Sequence, residues 1–382
     1  METRAILERL IALETVSALP NLALIHYVRD LLSAAGIEAT LIPDATGTKA
    51  NLYATVGPQD RPGVMLSGHT DVVPVDGQAW TRPPFRLTEA GGRLYGRGAA
   101  DMKGFVACAV AAALAASHRR LRTPLHLALS YDEEVGCLGV RSLIDLLATA
   151  PSPPLMCIVG EPTGMAVATG HKGKRGLRAV CRGREGHSSL APLAMNALHL
   201  AADLVQAIRA IQTRLAVEGA RDGDYDVPYT TLHVGRVSGG ASLNIVPNRA
   251  EVDFEIRCLA ADDPDALAAE IAAEAARIVA AAADPDARVE IAEFMAYPGL
   301  GTAPDAAVVA FVKGLTGANA TIKVAFGTEG GLFADRLGLP TVICGPGSMA
   351  QGHKPDEFVT LDQIARCEAM LAALLDRLEA GL

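Results

Sequence analysis

Four short apolar runs in this chain each lead into a metal-binding type of side chain, and that coincidence limits the folds open to it. Val64-Met65-Leu66 runs into Ser67-Gly68-His69-Thr70-Asp71, and Leu125-His126-Leu127-Ala128-Leu129 into Asp132-Glu133-Glu134. Cys157-Ile158-Val159 runs into Gly160-Glu161-Pro162, and Thr341-Val342-Ile343-Cys344 into Gly345-Pro346-Gly347 and then His353. An apolar run of this kind reads as a strand buried on both faces, as parallel strands are. In open α/β sheets the site lies beyond the carboxyl ends of the strands. The runs therefore predict one crevice on which these polar groups converge, with the chemistry of a metal site.

The 382 residues suffice for about two domains and a full core. Strand and helix patterns alternate to about residue 161, the signature of an α/β domain. After about residue 172 the pattern changes. Val252, Phe254, Ile256 and Cys258 alternate with Asp253, Glu255 and Arg257, which suits an antiparallel strand with one wet face. Asp263-Pro264 supplies an N-cap and a Pro at the first helical position. The element order there is β-α-β-β-α-β, a ferredoxin-like unit. We therefore expect residues 1–172 and 295–382 to form one domain, interrupted by an α+β domain at 173–294. Residues 76–92, rich in Gly, Pro and charge, read as loop.

A net charge of −9 without a long basic run argues against nucleic acid or an anionic membrane surface as partner. Seven scattered cysteines without a Cys-x-x-Cys fit reduced thiols. The N-terminal segment reads as a mixed polar–apolar helix, not a signal peptide, and the Ala-rich residues 106–116 are too few to span a bilayer. A soluble, cytoplasmic protein is the expectation.

Each candidate site group has two readings. His69 and Asp71, at i and i+2 in extended backbone, point the same way. They are a surface pair or a metal ligand with its orienting carboxylate. Asp101 is a helix N-cap or a bridging ligand. Gly96-x-Gly98-x-x ends in Asp101 rather than Gly, so the dinucleotide fingerprint fails and a nicotinamide enzyme is rejected. Glu133-Glu134 is an acidic surface turn, or one carboxylate binds a metal while the other takes a proton from water. Glu161 and His353 alone are a strand end and a loop histidine. Jointly, two His and three carboxylates suit two zinc-like ions, whose charge more than neutralises Asp101, Glu134 and Glu161.

At these residues the chain closely resembles the M20 family of metal-dependent amidohydrolases and peptidases. The matching pieces are Ser67 through Pro74, Tyr95-Gly96-Arg97-Gly98 through Asp101-Met102-Lys103-Gly104, Asp132-Glu133-Glu134, Gly160-Glu161-Pro162-Thr163 and Gly186-His187-Ser188-Ser189. The likeness covers nearly the whole chain. Within the family, Val227-Pro228-Tyr229, Gly327-Thr328-Glu329 and the stretch from Gly345 to Glu357 are most similar to the branch that deacetylates N2-acetyl-L-ornithine. Sister activities on the same scaffold are succinyl-diaminopimelate desuccinylase, aminoacylase and small carboxypeptidase.

The resemblance implies a zinc-exopeptidase-like α/β catalytic domain with a mixed, mostly parallel sheet, and an inserted ferredoxin-like domain serving as lid and dimerisation surface. It implies two divalent ions, Zn²⁺ or Co²⁺: His69 and Glu161 on one, Glu134 and His353 on the other, Asp101 bridging. Glu133 is then the general base, Asp71 the partner of His69, and His187 the oxyanion donor, often to the partner subunit of a homodimer. Asn244 and Arg257 match positions that contact substrate. Gly345 and Gly347 would offer N–H groups to a substrate carboxylate, and Glu329 would meet a substrate amine; a plain turn and a surface acid are the alternatives. Gly330-Gly331 would make the following loop permissive. A non-catalytic binder keeping the fold would have lost Glu133 or a ligand, and none is lost.

Overall fold

The computed structural model describes residues 2–17 and 19–382. The chain divides into two compact units: residues up to Gly170 together with Leu300–Leu382, and His171–Gly299. The first is built on a nine-stranded mixed sheet. Its centre is the four apolar runs. Leu125–Ser130, Val64–His69, Met156–Pro162 and Thr341–Gly345 lie side by side in that order, all parallel. Every residue of the four is buried, because helices cover both faces.

Helices Thr3–Ala12, Leu22–Ala34, Lys103–Ala116, Ala307–Thr316 and Leu361–Ala380 pack together on one face around the larger hydrophobic core. Val140–Ala148 and Gly330–Leu337 pack on each other and on the same strands, and their buried side chains lie outside that core. Helix Lys103–Ala116 is apolar on nearly all sides, as a helix inside a layer must be. Its buried Lys103 donates from Nζ to the carbonyls of Leu10 and Leu13, satisfying the end of the first helix. Antiparallel strands Ala39–Pro43 and Ala50–Val56 extend one side of the sheet.

The second unit is the expected β-α-β-β-α-β fold. Its strands run in the order Thr231–Gly239, Arg249–Cys258, Gly173–Arg182, Arg288–Tyr297, all antiparallel. Helices Ala197–Glu218 and Pro264–Ala282 bury Leu204, Ile208 and Ile271 against Ala179, Val252 and Phe254 in a separate core. Asp263 caps the second helix, accepting from the N–H groups of Asp265 and Ala266.

The boundaries fall at Gly170/His171 and Gly299/Leu300, not at 172/173 and 294/295. The last strand of this unit runs past residue 294 to Tyr297, paired with Lys174. The segments entering and leaving this unit pass so close that a Cβ on Gly173 would lie 2.8 Å from the Gly299 nitrogen. Residues 76–92 are not all loop. Thr88–Ala90 and Arg93–Tyr95 form a hairpin across Gly91-Gly92, and Phe358–Thr360 pairs with Arg93–Tyr95 to complete a small sheet. All seven cysteines are buried thiols. Among the described residues no helix is long and apolar enough to cross a membrane.

Candidate metal centre

His69 is the last residue of its strand, and Glu161 lies near the end of the next. Glu133 and Glu134 follow Leu125–Ser130 in a turn opened by Asp132, whose φ is +56°. His353 lies in the loop after Thr341–Gly345, and Asp101 stands two residues before helix Lys103–Ala116. The parallel strands therefore deliver side chains from five distant segments to one place. Asp101 is at its hub: Oδ1 lies 3.1 Å from His69 Nε2, and Oδ2 lies 3.1 Å from His353 Nε2. Glu161 Oε1 is 3.7 Å from His69 Nε2, and Glu134 Oε2 is 3.0 Å from His353 Nε2. Asp101 is not a helix cap. The cap position is Met102, with no side-chain cap bond, and the Asp101 carboxylate turns inward.

The imidazole geometry tests whether cations fit. His69 Nδ1 is 2.9 Å from the Asp71 carbonyl oxygen, so it carries the proton and donates there. Nε2 then aims its lone pair at two carboxylates, an arrangement that needs a positive charge between them. Burial disfavours a protonated His69, but the bonds to Asp101 and Asp71 outweigh it and hold its pKa well above the usual range. The bonds to Asp101 and Glu134 raise His353 to about 10. Burial, with repulsion from Asp101, pushes Glu134 to about 7 and Glu161 well above normal; burial also raises Glu133 well above normal, although His69 opposes it. For Asp101 burial works upward, yet its two histidines hold it below the ordinary value. The cluster calls for protons or cations, and its oxygen and imidazole donors suit divalent ions. His69 faces Asp101 and Glu161, and His353 faces Asp101 and Glu134; donor atoms of His69, Asp101 and Glu134 lie within 4.8 Å of one another. Donor atoms of His69, Glu133 and Glu161 also lie within 4.8 Å of one another, which puts the Glu133 carboxylate beside His69 and Glu161.

Asp71 orients His69 with its backbone carbonyl; its carboxylate stands 3.5 Å from Nδ1. That carboxylate accepts from the N–H groups of Glu133 at 3.1 Å and Glu134 at 3.3 Å, and from Ser17 Oγ at 2.8 Å. It fixes the acidic turn as well as the histidine. Lys49 holds the start of the turn, 2.6 Å from Asp132 Oδ1. Nothing in the sequence near Ser17 or Lys49 signals this use, because both bonds span long stretches of chain.

Two expectations need correction, for the Gly345–Gly347 turn and for Gly330-Gly331, and at Glu329 one alternative falls. Gly345 N–H donates to Thr163 Oγ1 and Gly347 N–H to Gln363 Oε1, so neither donor is open to a substrate carboxylate. Glu329 is no surface acid: it is 1% exposed, and Oε2 is 3.5 Å from Ser67 Oγ. Burial pushes its pKa to about 7. Gly330 and Gly331 form the buried first turn of helix Gly330–Leu337 rather than a permissive loop. In the second unit, His187 and Asn244 are brought together by pairing of Gly186–His187 with Ile245–Val246, and both are exposed. Ser189 N–H donates to His187 Nδ1, leaving the ring proton on Nε2. Arg257 is engaged with Glu255 at 3.0 Å and the Tyr297 hydroxyl at 3.3 Å.

The sequence profile of peptidase family M20/M25/M40 matches residues 65–377. An acetylornithine deacetylase of Myxococcus xanthus is 36% identical over 375 residues, covering 97% of this chain and 95% of that protein. An acetylornithine deacetylase of Pasteurella multocida (strain Pm70) is 33% identical over 371 residues, covering 94% and 92%. Among solved structures, an M20 family metallo-carboxypeptidase of Sulfolobus solfataricus superimposes with a TM-score of 0.80 at 20% identity, covering 100% of both chains. At that identity the likeness speaks to the fold.

Proposed function

Because the chain belongs to peptidase family M20/M25/M40, and so is a metal-dependent amidohydrolase, we propose that it hydrolyses N2-acetyl-L-ornithine to acetate and L-ornithine, a step of arginine biosynthesis. The observation that carries the hydrolytic reading is Asp101, with one oxygen 3.1 Å from each of two facing imidazoles. The substrate choice is supported by relatives of that activity at 33–36% identity over most of the chain.

In this reading His69, Asp101 and Glu161 hold one divalent ion and His353, Asp101 and Glu134 the other, Zn²⁺ by preference and Co²⁺ as an accepted substitute. Bound there, the ions polarise the amide carbonyl and make a nearby water more acidic. Glu133 takes the proton from that water, whose oxygen attacks the carbonyl carbon. The C–N bond then breaks, and Glu133 returns the proton to the leaving amine nitrogen. The raised pKa of Glu133, imposed by burial, suits a group that must hold a proton between these two events. His187 donates from Nε2–H to the tetrahedral oxyanion, a contribution of about 3–4 kcal/mol for one donor. It does so in the partner subunit's site of a homodimer joined through the inserted domain. Asn244 and Arg257 contact the substrate, and Glu329 meets the ornithine amine. The place of work is the cytoplasm.

The test is a side-by-side assay of N2-acetyl-L-ornithine, N-succinyl-diaminopimelate and N-acetyl-methionine with metal-analysed protein. Acetylornithine should have the highest kcat/KM; a higher value for either competitor would reassign the substrate within the family.

A further inference from the structure

Two metal ligands assigned above, Asp101 and His353, are tied to each other by a chain of side chains that none of the catalytic roles uses. Glu357, 1% exposed, accepts the N–H of Ala100 at 2.9 Å and of Asp101 at 3.0 Å through Oε1. Its Oε2 receives Arg97 Nη1 at 2.7 Å. Arg97, also 1% exposed, sends Nη2 to Gln78 Oε1 at 2.5 Å. Trp80 Nε1–H donates to the same oxygen at 3.0 Å, and the Trp80 ring lies under the Arg97 guanidinium. Two donors on Oε1 settle the orientation of the Gln78 amide. Its Nε2–H therefore faces the His353 carbonyl, 3.0 Å away.

His353 needs outside support. Its φ is +61°, a left-handed conformation that a non-glycine residue holds only when its surroundings impose it. The support comes from the segment carrying Gln78. Asp356, also at positive φ, accepts from Thr81 N–H at 3.0 Å and Thr81 Oγ1 at 2.6 Å in the same segment.

We propose that Gln78, Arg97 and Glu357 are positioning residues that set the affinity of the cation held by Asp101, Glu134 and His353, with Gln78 as the link to the histidine. The inference rests on the two-cation reading. Ligand supports of this kind change metal affinity by about 10–100-fold when removed. Asp101 remains held by Glu357 when Gln78 is lost, so the damage falls on the His353 side. Trp80 is the chain's single tryptophan, so its emission reports on this network without interference.

The experiment titrates Zn²⁺ into metal-free protein by calorimetry, alongside Trp80 fluorescence. Wild type should take up two equivalents, with Trp80 emission responding to one of them. Gln78→Ala should bind one equivalent as wild type does and the other about 10–100-fold more weakly. Gln78→Glu keeps an acceptor for Arg97 and Trp80 but lacks the N–H toward His353, and should show the same selective loss. A urea midpoint of the metal-free variants equal to that of wild type shows that folding is intact. Two wild-type affinities in both variants, or equal weakening of both equivalents, would overturn the proposal and leave the two-cation centre standing. Fewer than two equivalents in wild type would overturn both.

Discussion

At the scale of single residues, the acidic turn shows how much the site asks of one carboxylate. Asp71 receives the N–H groups of both Glu133 and Glu134 while its own carbonyl fixes the His69 tautomer. Asp71→Ala would leave those donors unpaired, and we expect Zn²⁺ affinity to fall about 10–100-fold by calorimetric titration. Glu133→Ala removes the proton carrier and none of the five assigned ligands. Two bound equivalents should persist by metal analysis while kcat falls about 10²–10⁴-fold. An unchanged kcat would take Glu133 out of the mechanism. The candidate ligands were legible because each sits just past an apolar run or before a helix. Ser17 and Gln78 were not, since their partners lie 54 and 275 residues away. Arg97 and Glu357 each stood inside a quoted motif with no role assigned. Gly345 and Gly347 misled for the opposite reason: a Gly-Pro-Gly turn signals free N–H groups, and only tertiary partners reveal that they are taken.

At the scale of elements, the four central strands were readable from composition alone, and the alternation in 252–258 announced the antiparallel sheet. The hairpin of Thr88–Ala90 and Arg93–Tyr95 had a local signal in Gly91-Gly92, but strands this short carry no readable alternation, and the strand that completes the sheet, Phe358–Thr360, is distant in sequence. Close packing between elements carries its own prediction. A Cβ on Gly160 would lie 1.9 Å from the Phe105 ring, so the strand bearing Glu161 runs flat against helix Lys103–Ala116. Gly160→Ala must push them apart, at a cost of at least about 1–3 kcal/mol in urea unfolding. In the strand pair Ala50–Val56 and Leu125–Ser130, burial pushes the pKa of His126 down to about 4, and Tyr53 and Thr55 bond its Nδ1. Between about pH 6.5 and that value the unfolded chain binds a proton that the native chain does not. Stability is therefore lost as the pH falls through this window, at roughly 1.4 kcal/mol per pH unit where the difference is complete. His126→Gln should lack that component, so the stability gap between wild type and variant should narrow on acidification in parallel urea titrations.

At the scale of the whole molecule, two hydrophobic cores are separate, and only the first unit carries the assigned cation ligands. Each cation at 100 times its dissociation constant would stabilise that unit by about 2.7 kcal/mol. Removing them with a chelator should lower one calorimetric unfolding transition and leave the transition of residues 171–299 where it was. A shift of both together would mean that the two units unfold as one. The sheet order has a further consequence during synthesis. The fourth parallel strand, Thr341–Gly345, fits between Met156–Pro162 and Ala168–His171, yet the ribosome makes it long after both. Until then a nascent chain carries an open hydrogen-bonding edge along one of its most apolar strands, a template for pairing with a neighbour. The inserted unit can fold during that wait, because its two ends already meet. The sheet closes only after Thr341–Gly345 has been made, and the last ligand, His353, arrives behind it.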